Sequence, residues 1–396
     1  MPSVCFYFEV HQPVRLSRFS VFNIGGVQDP YNSYFDHKKN RAIFEKVASK
    51  CYIPTNKLLL DLINRYDGRF RVSFSLTGTF VEYCELFMPW VLESFQELFE
   101  TGAVDLIEET YFHSLSSLYD DLDEFEDQVK MHRDMIYRIF RYKPRVFRNT
   151  EAIFDNRIAK KISDMGYAGI ITEGADKILD WRSPNYIYKP VNIDIKVLMR
   201  NYMLSDDVGF RFSARGWHGY PLTSDKYAKW MADSPGDVIN LFMDYETFGE
   251  HQWADTGIFE FLEHLPGEVL KYDNLDFVTV SEAVRRYDAK GEIDVPWAIS
   301  WADADRDVST WLGNNMQTAC FNELKEIGRM LREKKDEELL YIWRLLQTSD
   351  HLYYMSTKGF EDGAVHAYFS PYEVPYDAFI NYMNILQDLK QRAMHK

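Results

Sequence analysis

The alternation of short apolar runs with longer amphipathic stretches most constrains how this 396-residue chain folds. Continuous apolar runs are typical of strands that are buried on both faces. They lie at residues 4–8, 71–76, 104–107, 146–148, 169–172, 196–200, 238–243 and 277–279. Helical periodicity lies between them, at residues 55–66, 90–100, 123–140, 156–165 and 281–287. Such alternation predicts a parallel sheet, and so many strands favour a closed barrel over an open sheet.

The pattern changes near residue 315. The helical patterns beyond it lie at residues 318–334, 337–355 and 376–394, with no convincing strand between them. The sequence therefore predicts three parts: a barrel domain over residues 1–290, a connecting loop over 291–315 and a helical bundle over 316–396.

The connecting loop carries three tryptophans, Trp297, Trp301 and Trp311. Long loops with this much apolar surface are usually functional or packed over a cleft. We therefore expect the loop to border the cleft and one of its indoles to supply a stacking platform for a ligand.

Composition and charge narrow the range of partners. The net charge of −16 would repel a phosphate backbone, which argues against nucleic acid. Aromatic residues make up 16% of the chain. Rings with apolar faces and polar edges suit sugars, although an aromatic-rich core is the plainer explanation for any single ring.

Few features of the sequence indicate the cellular compartment of the protein. No apolar run approaches the length of a membrane span, and the first residues lack the features of a signal peptide. The four cysteines lie far apart without a CxxC spacing, which indicates unpaired thiols in a reducing compartment. We therefore expect a cytoplasmic protein with no membrane partner. The sequence does not predict the oligomeric state.

Polar side chains follow successive predicted strands. In chain order they are His11, Glu82, His113, Glu151, Glu173, and then Asp244, Glu246 and His251 together after residues 238–243. The carboxyl ends of parallel barrel strands meet at one face, where active sites occur. Taken singly, Glu151 could favour a helix N-terminus and Asp244 could stabilise a turn. Because carboxylates and imidazoles recur at the ends of successive strands, we expect these side chains to form one shared polar site.

Two carboxylates that face each other across a cleft suit the cleavage of a glycosidic bond. One, protonated, donates to the departing oxygen, while the other, ionised, attacks or stabilises the oxocarbenium-like carbon. Spacing along the chain assigns neither role, and it does not separate retention from inversion, because that depends on the distance between the carboxyl groups.

Four segments in chain order resemble glycoside hydrolase family 57. They are FEVHQP at residues 8–13, GTFVEY at 78–83, VFRNTE at 146–151 and FMDYETFG at 242–249. Residues 301–314, which contain Arg306, Asp307 and the WLGN tetrapeptide, also resemble the α-amylase-like members of the family. These segments and the final Ser370 to Tyr372 spread over most of the chain.

The resemblance implies an α/β fold, an incomplete (β/α)7 barrel followed here by a helical bundle. It also implies hydrolysis of α-1,4-glucan or maltooligosaccharides with retention, with Glu151 as nucleophile and Asp244 as general acid/base. It places His11 and Glu82 in the sugar-binding subsite, and it implies no metal and no organic cofactor. Further contacts with the glucan are expected from His113, Glu246, His251, Trp301, Asp307 and Trp311.

Two departures from the family leave glucan transfer or branching as the alternative to hydrolysis. The 396 residues are few for such an enzyme, and we expect them to form no C-terminal β-rich domain like that of the larger glucanotransferases. The residues around Glu151 also lack the aromatic neighbours found in those enzymes.

Other classes fit less well. A polysaccharide deacetylase would need zinc ligands with His-x-x-x-His spacing, but the fourth residue after His113 is Ser117. The acidic alternation at residues 303–307 lacks the glycine of a calcium loop, which is replaced by Val308. A catalytically inactive carbohydrate-binding protein on the same barrel is the alternative from a different class. Loss of a carboxylate would mark it, and both are present.

Overall fold

Parallel strands form the wall of a barrel in the computed structural model, which describes residues 2–359 and 370–395. The strands are β1 Ser3–Val10, β2 Val72–Leu76, β3 Val104–Leu106, β4 Val146–Arg148, β5 Gly169–Glu173, β6 Lys189–Pro190, β7 Lys196–Arg200, β8 Val238–Asp244, β9 Asp276–Phe277 and β10 Glu292–Ile293. All eight residues of β1 are buried, as a central strand covered on both faces requires.

Two parallel sheets close into one ring. The first has the order β3-β2-β1-β8 and the second β4-β5-β7. At one seam, the Glu108 N–H donates to the Val146 carbonyl at 3.1 Å, and the Arg148 N–H donates to the Glu108 carbonyl at 2.8 Å. At the other seam, the Asn201 N–H donates to the Asn240 carbonyl at 2.9 Å. The expected (β/α)7 barrel is confirmed.

Helices cover the barrel and continue beyond it. They are α1 Pro30–Tyr34, α2 His37–Val47, α3 Ile53–Arg65, α4 Gly78–Phe87, α5 Pro89–Glu100, α6 Asp123–Phe140, α7 Asn156–Asp164, α8 Asp176–Leu179, α9 Tyr202–Gly209, α10 Ser224–Ala232, α11 Ile258–Val269, α12 Val280–Arg286, α13 Ser309–Leu312, α14 Asn315–Lys334, α15 Glu337–Leu345, α16 Ser349–Tyr353 and α17 Pro375–His395. Helix α6 has the predicted bounds, and three acidic residues in its first turn complement the helix dipole.

Several predicted elements differ in extent from the structure, and two of the differences have a clear physical reason. The strand expected at residues 277–279 ends at Phe277, because Thr279 is the N-cap of α12 and forms a capping box with Glu282. The helix expected at residues 337–355 is interrupted after Leu345. There the chain turns back to the barrel, and the Ser349 N–H donates to the carbonyl of His113 at 2.9 Å.

Helices α14 to α17 lie against the barrel. Helix α17 is tied to the N-terminal part of the chain by Asp388, whose carboxylate accepts from the N–H of Gly25 at 2.6 Å and from the hydroxyl of Tyr34. The predicted boundaries at residues 290 and 315 stay predictions, and residues 360–369 and 396 of the expected bundle lie outside the described part. Within the described residues, no helix combines the length and apolar character needed to cross a bilayer.

Candidate active site

Glu151 lies just beyond the carboxyl end of β4, in the 3₁₀ turn Thr150–Ala152. Its φ of +58° lies in the left-handed region, which is uncommon for a side chain of this kind and is often found at functional sites. Oε2 accepts from Nε1 of Trp301 at 2.9 Å, and Oε1 accepts from Oγ of Ser349 at 2.8 Å. Both carboxylate oxygens are therefore fixed in direction.

The surroundings of Glu151 favour its ionised form. Burial raises the pKa of this carboxyl, but the hydrogen bond and charge of His113, the charge of Arg148 and the hydrogen bond from Trp301 outweigh burial. The net result is a pKa below the ordinary value for Glu. Glu151 is therefore an ionised, oriented carboxylate at neutral pH, as a nucleophile must be.

Asp244 is the last residue of β8 and pairs in register with Glu9 on β1. Registered neighbours in a sheet point to the same face, and Glu9 points into the barrel towards Arg148 of β4. Asp244 therefore points to the same interior face. Burial raises the pKa of the Tyr353 hydroxyl, and the charges of Glu151, Asp350 and Asp244 raise it further.

A buried group of charges lies beneath the site; we call Glu9, Glu109, Arg148 and His113 the charge cluster. The guanidinium of Arg148 donates to both oxygens of Glu9, with the Nη2 to Oε2 distance at 2.6 Å. Nδ1 of His113 lies 3.2 Å from Oε1 of Glu9 and 3.4 Å from Oε2 of Glu109. The ring of Trp301 covers the guanidinium, with its centroid 4.6 Å from Cζ.

His11 lies on the charge cluster and reaches the C-terminal helices. Its ring stacks on that of His113 with 4.0 Å between centroids. Nε2 lies 3.0 Å from Oδ2 of Asp350 in α16, and Nδ1 lies 3.1 Å from Oγ1 of Thr77. Burial and the charge of His113 lower the pKa of His11, although Asp350 opposes them. The structure therefore places His11 against His113 and Asp350, and its contact with a sugar stays a prediction.

Glu246 and His251 lie on the Asp244 side of the site. Glu246 accepts from the hydroxyl of Tyr52. Burial and the charge of Asp244 raise the pKa of Glu246 to about 8, against the opposing hydrogen bond from Tyr52. Burial lowers the pKa of His251, and the charge of Asp244 opposes this shift. Both shifts favour the uncharged forms of Glu246 and His251.

Three predicted sugar-binding residues have other partners or surroundings. Glu82 accepts from the hydroxyls of Tyr111 and Tyr341, each at 2.8 Å. Asp307 accepts from the N–H of Ser309 within its own loop. Trp311 is 1% exposed in the core and presents no ring face to a ligand, which argues against the expected stacking role.

The loop that carries Trp301 is anchored to the barrel by Glu173. Arg306 donates to Oε2 of Glu173 at 2.7 Å and to the carbonyl of Trp301 at 3.1 Å. Lys358 binds the carboxylate of Asp303 at 2.6 Å on the other side of the loop. Glu173, which the sequence placed among the strand-end acids, therefore positions the loop through an ion pair.

Several residues of the site were missed from the sequence. Glu9 and Arg148 carried a signal, because each is a charged residue inside a run of buried strand residues and such charges must be paired. Ser349, Asp350 and Tyr353 carried none, because they lie in α16, far along the chain from the strand ends that they contact.

Glu9, Glu109 and His113 also present three possible metal-ligand atoms within 4.8 Å of one another. The chemistry of this donor set does not favour a metal, because both oxygens of Glu9 already accept from the guanidinium of Arg148. Arg148 thus supplies Glu9 with the cationic partner that a buried carboxylate requires.

A closed parallel barrel with two inward acids at its carboxyl edge is an architecture suited to a glycoside hydrolase. Residues 5–296 match the family described as Glycosyl hydrolase family 57. The chain is 52% identical over 397 residues to a protein of Methanocaldococcus jannaschii named "Putative alpha-amylase", a match that covers 98% of this chain and 84% of that protein. The chain belongs to glycosyl hydrolase family 57.

Solved structures share the fold at low identity. The 4-α-glucanotransferase from Thermococcus litoralis superposes with a TM-score of 0.68 at 14% identity, covering 89% of this chain; this chain spans only 56% of that enzyme's length. A branching enzyme from Pyrococcus horikoshii gives 0.67 at 16% identity, covering 92% of this chain and 88% of that one. An α-amylase from Thermotoga maritima gives 0.62 at 13% identity, covering 100% and 94%.

Proposed function

We propose that this protein hydrolyses α-1,4-linked glucan with retention of anomeric configuration, using Glu151 as nucleophile and Asp244 as general acid/base. The observation that carries the proposal is the position of the His113 ring. Nε2 of His113 lies 3.4 Å from Glu151, Nδ1 lies 3.2 Å from Glu9, and Glu9 is the register neighbour of Asp244. The kinship with a protein named as an α-amylase supports the choice of α-glucan.

The reaction has two displacements. In the first, the carboxyl of Asp244 gives its proton to the glycosidic oxygen while Oε1 or Oε2 of Glu151 bonds to the anomeric carbon and the leaving chain departs. In the second, the carboxylate of Asp244 takes a proton from water as the water oxygen attacks that carbon and releases Glu151. Two inversions give net retention.

The surroundings of Glu151 fix the position of its carboxylate during the two displacements. Its side chain is 18% exposed, so it is reachable by a ligand yet largely dry. Trp301 and Ser349 fix its two oxygens, and a fixed near-attack geometry lowers the entropic part of the barrier.

Further parts of the proposal concern the ligand and the location. His11, Glu246 and His251 lie near the two acids, and we propose that they contact the sugar bound beside the scissile bond. Trp301 offers a partly exposed indole next to Glu151, and we propose that it borders that sugar. The four cysteines are buried and unpaired, which supports a reducing compartment, the cytoplasm.

The test uses maltoheptaose with wild type, Glu151→Gln and Asp244→Asn. We expect Glu151→Gln to lose activity on the order of 10⁴-fold or more, and Asp244→Asn to lose roughly 10²- to 10⁴-fold. Glu85→Gln, which neutralises a surface carboxylate paired with Arg138, is the matched control and should keep full activity. Wild-type rates in both site variants would end the assignment.

Proton NMR of the first products tests the stereochemistry. Retention predicts that the α-anomer forms first and then mutarotates, whereas an initial β-anomer would contradict the double displacement. Product length separates hydrolysis from transfer. Hydrolysis gives shorter chains and new reducing ends, while glucan transfer or branching gives rearranged chains at a constant number of reducing ends.

A further inference from the structure

We propose that His113 is an imidazolium that positions and charge-balances Glu151, rather than a ligand of the sugar. This inference rests on the proposed role of Glu151 as nucleophile. It concerns a residue that is only 4% exposed and lies in the charge cluster beneath the site.

Carboxylates approach both nitrogens of the His113 ring. Nδ1 faces Glu9 at 3.2 Å and Glu109 at 3.4 Å, and Nε2 faces Glu151 at 3.4 Å. A neutral imidazole carries a proton on one nitrogen and a lone pair on the other. In either neutral form, that lone pair would point at a buried carboxylate oxygen. Only the imidazolium places an N–H on both sides.

The charge balance of the cluster leads to the same form. Glu9, Glu109 and Glu151 supply three negative charges, and Arg148 supplies one positive charge. Buried charges without partners are costly, so a second cation is needed to approach neutrality. A proton on His113 provides it at the centre of the three carboxylates.

The ionisation of Glu9 is supported by its contacts. Burial raises the pKa of Glu9 well above its ordinary value, and the charges of Arg148 and His113 oppose this rise. Both Glu9 oxygens accept from the guanidinium, and Oε1 also faces Nδ1 of His113. We assign the carboxylate form because a proton on either oxygen would displace one of these donors.

His11, which stacks on the ring of His113, does not compete with it for the proton. His11 stacks on His113 and faces Asp350 through Nε2 and Thr77 through Nδ1, so a neutral tautomer satisfies both of its nitrogens. Burial lowers the pKa of His11, and the charge of His113 lowers it further. The structure therefore stacks a neutral ring on a charged one.

The pKa directions agree with this geometry. Burial lowers the pKa of His113, but the charge of Glu9 and the hydrogen bonds of Glu109 and Glu151 more than compensate and hold it well above the ordinary value. The same contacts hold the pKa of Glu109 below its ordinary value, against the effect of burial.

A direct test observes the proton. Nitrogen NMR of ¹⁵N-histidine-labelled wild type should show one ring whose two nitrogens both keep imidazolium shifts at pH 8. That signal should be missing in His113→Asn. Asn is chosen because His113 has a φ of +50°, a backbone conformation that Asn tolerates. A neutral tautomer for His113 at pH 7 would overturn the proposal, as would one tightly bound metal ion per chain in elemental analysis.

A second variant removes one carboxylate and keeps the ring. Glu109→Gln should lower the pKa of His113 by about 1 to 3 units, as measured by the same nitrogen NMR over a range of pH. The matched control is Glu108→Gln. The Glu108 carboxyl is also buried, but it pairs with Arg133 and Tyr167 rather than with His113. Burial raises the pKa of Glu108 to about 8, so Gln resembles the neutral form of this side chain. Equal shifts in both variants would overturn the proposal.

Kinetics separate positioning from sugar binding. We expect His113→Asn to lower kcat roughly 10- to 100-fold with little change in KM, and to raise the pKa of the acidic limb, because Glu151 loses a cation. A rise in KM with unchanged kcat would instead mark a sugar ligand and overturn the proposal. The NMR result does not require activity, so it distinguishes this inference from failure of the proposed function, which the Glu151→Gln variant tests separately.

Discussion

Removing the charges of the buried Glu9–Arg148 pair one at a time should reveal strong coupling. The two side chains are 4% and 1% exposed, and the contact is bidentate. The perturbations are Glu9→Gln, Arg148→Met and the double variant. Each single change leaves the other charge buried without its main partner, whereas the double change replaces the pair by neutral side chains of similar length.

The magnitude follows from burial. Breaking a buried ion pair by removing one partner costs about 3–5 kcal/mol, so the two single losses sum to roughly 6–10 kcal/mol. A pair replaced by neutral groups is often close to neutral in stability. Arg148→Met also loses the contact with the Trp301 ring, worth about 1–2 kcal/mol when desolvated, and this loss persists in the double variant. We therefore expect a coupling of at least about 3 kcal/mol between Glu9 and Arg148.

Urea denaturation at pH 7 measures the free energy of unfolding of all four proteins. Fluorescence and circular dichroism must give coincident transitions, because several helices could unfold apart from the barrel. The exposed pair Lys229–Asp233 is the matched control, and it should show no measurable coupling. If the changes in the free energy of unfolding caused by Glu9→Gln and Arg148→Met add to within about 0.5 kcal/mol in the double variant, the reasoning that each charge stabilises the other is refuted.

Two further predictions concern pH. Burial lowers the pKa of His351 to about 4, despite the opposing charge of Asp350. The unfolded chain therefore binds a proton below pH ~6.5 that the folded chain does not, and stability falls by about 3 kcal/mol as the pH drops to 4. Denaturation at pH 7 and pH 4 measures this fall in the free energy of unfolding, which should be smaller by that amount in His351→Gln than in wild type. Equal falls in the two proteins would contradict the prediction. Trp301→Phe keeps the ring over Arg148 but removes a donor to Glu151, so the acidic limb of kcat/KM should move up by about one pH unit; an unmoved limb would contradict this.

The barrel strands were predictable because burial on both faces leaves a strong signal. Strands β4 and β7 have the predicted bounds, and β8 extends one residue further, to Asp244. Helices such as α4 and α9 were missed. Both are short, and most of their residues are buried, so they lack a clear polar face. The periodicity of apolar and polar residues does not reveal a helix that has no solvent-exposed face.

The candidate site was predictable only where its residues follow strands. The ends of β1 and β8 pointed to His11 and Asp244, since parallel strands deliver their ends to one face. Trp311 was predicted to bind a ligand but lies in the core, because a tryptophan in a loop gives no indication of which way its ring turns. Position along the chain predicts convergence of the backbone, not the orientation of each side chain.

The C-terminal helices complete the site rather than merely cover the barrel. Ser349 fixes one oxygen of Glu151, and Asp350 fixes the ring of His11. The backbone N–H of Ser349 also donates to the carbonyl of His113, whose ring lies between Glu151 on one side and Glu9 and Glu109 on the other. A displacement of α16 would therefore disturb Glu151, the proposed nucleophile, through Ser349 and the stacked histidines at the same time. The interruption after Leu345 breaks helical hydrogen bonds, and it places these donors at the carboxyl edge of the barrel.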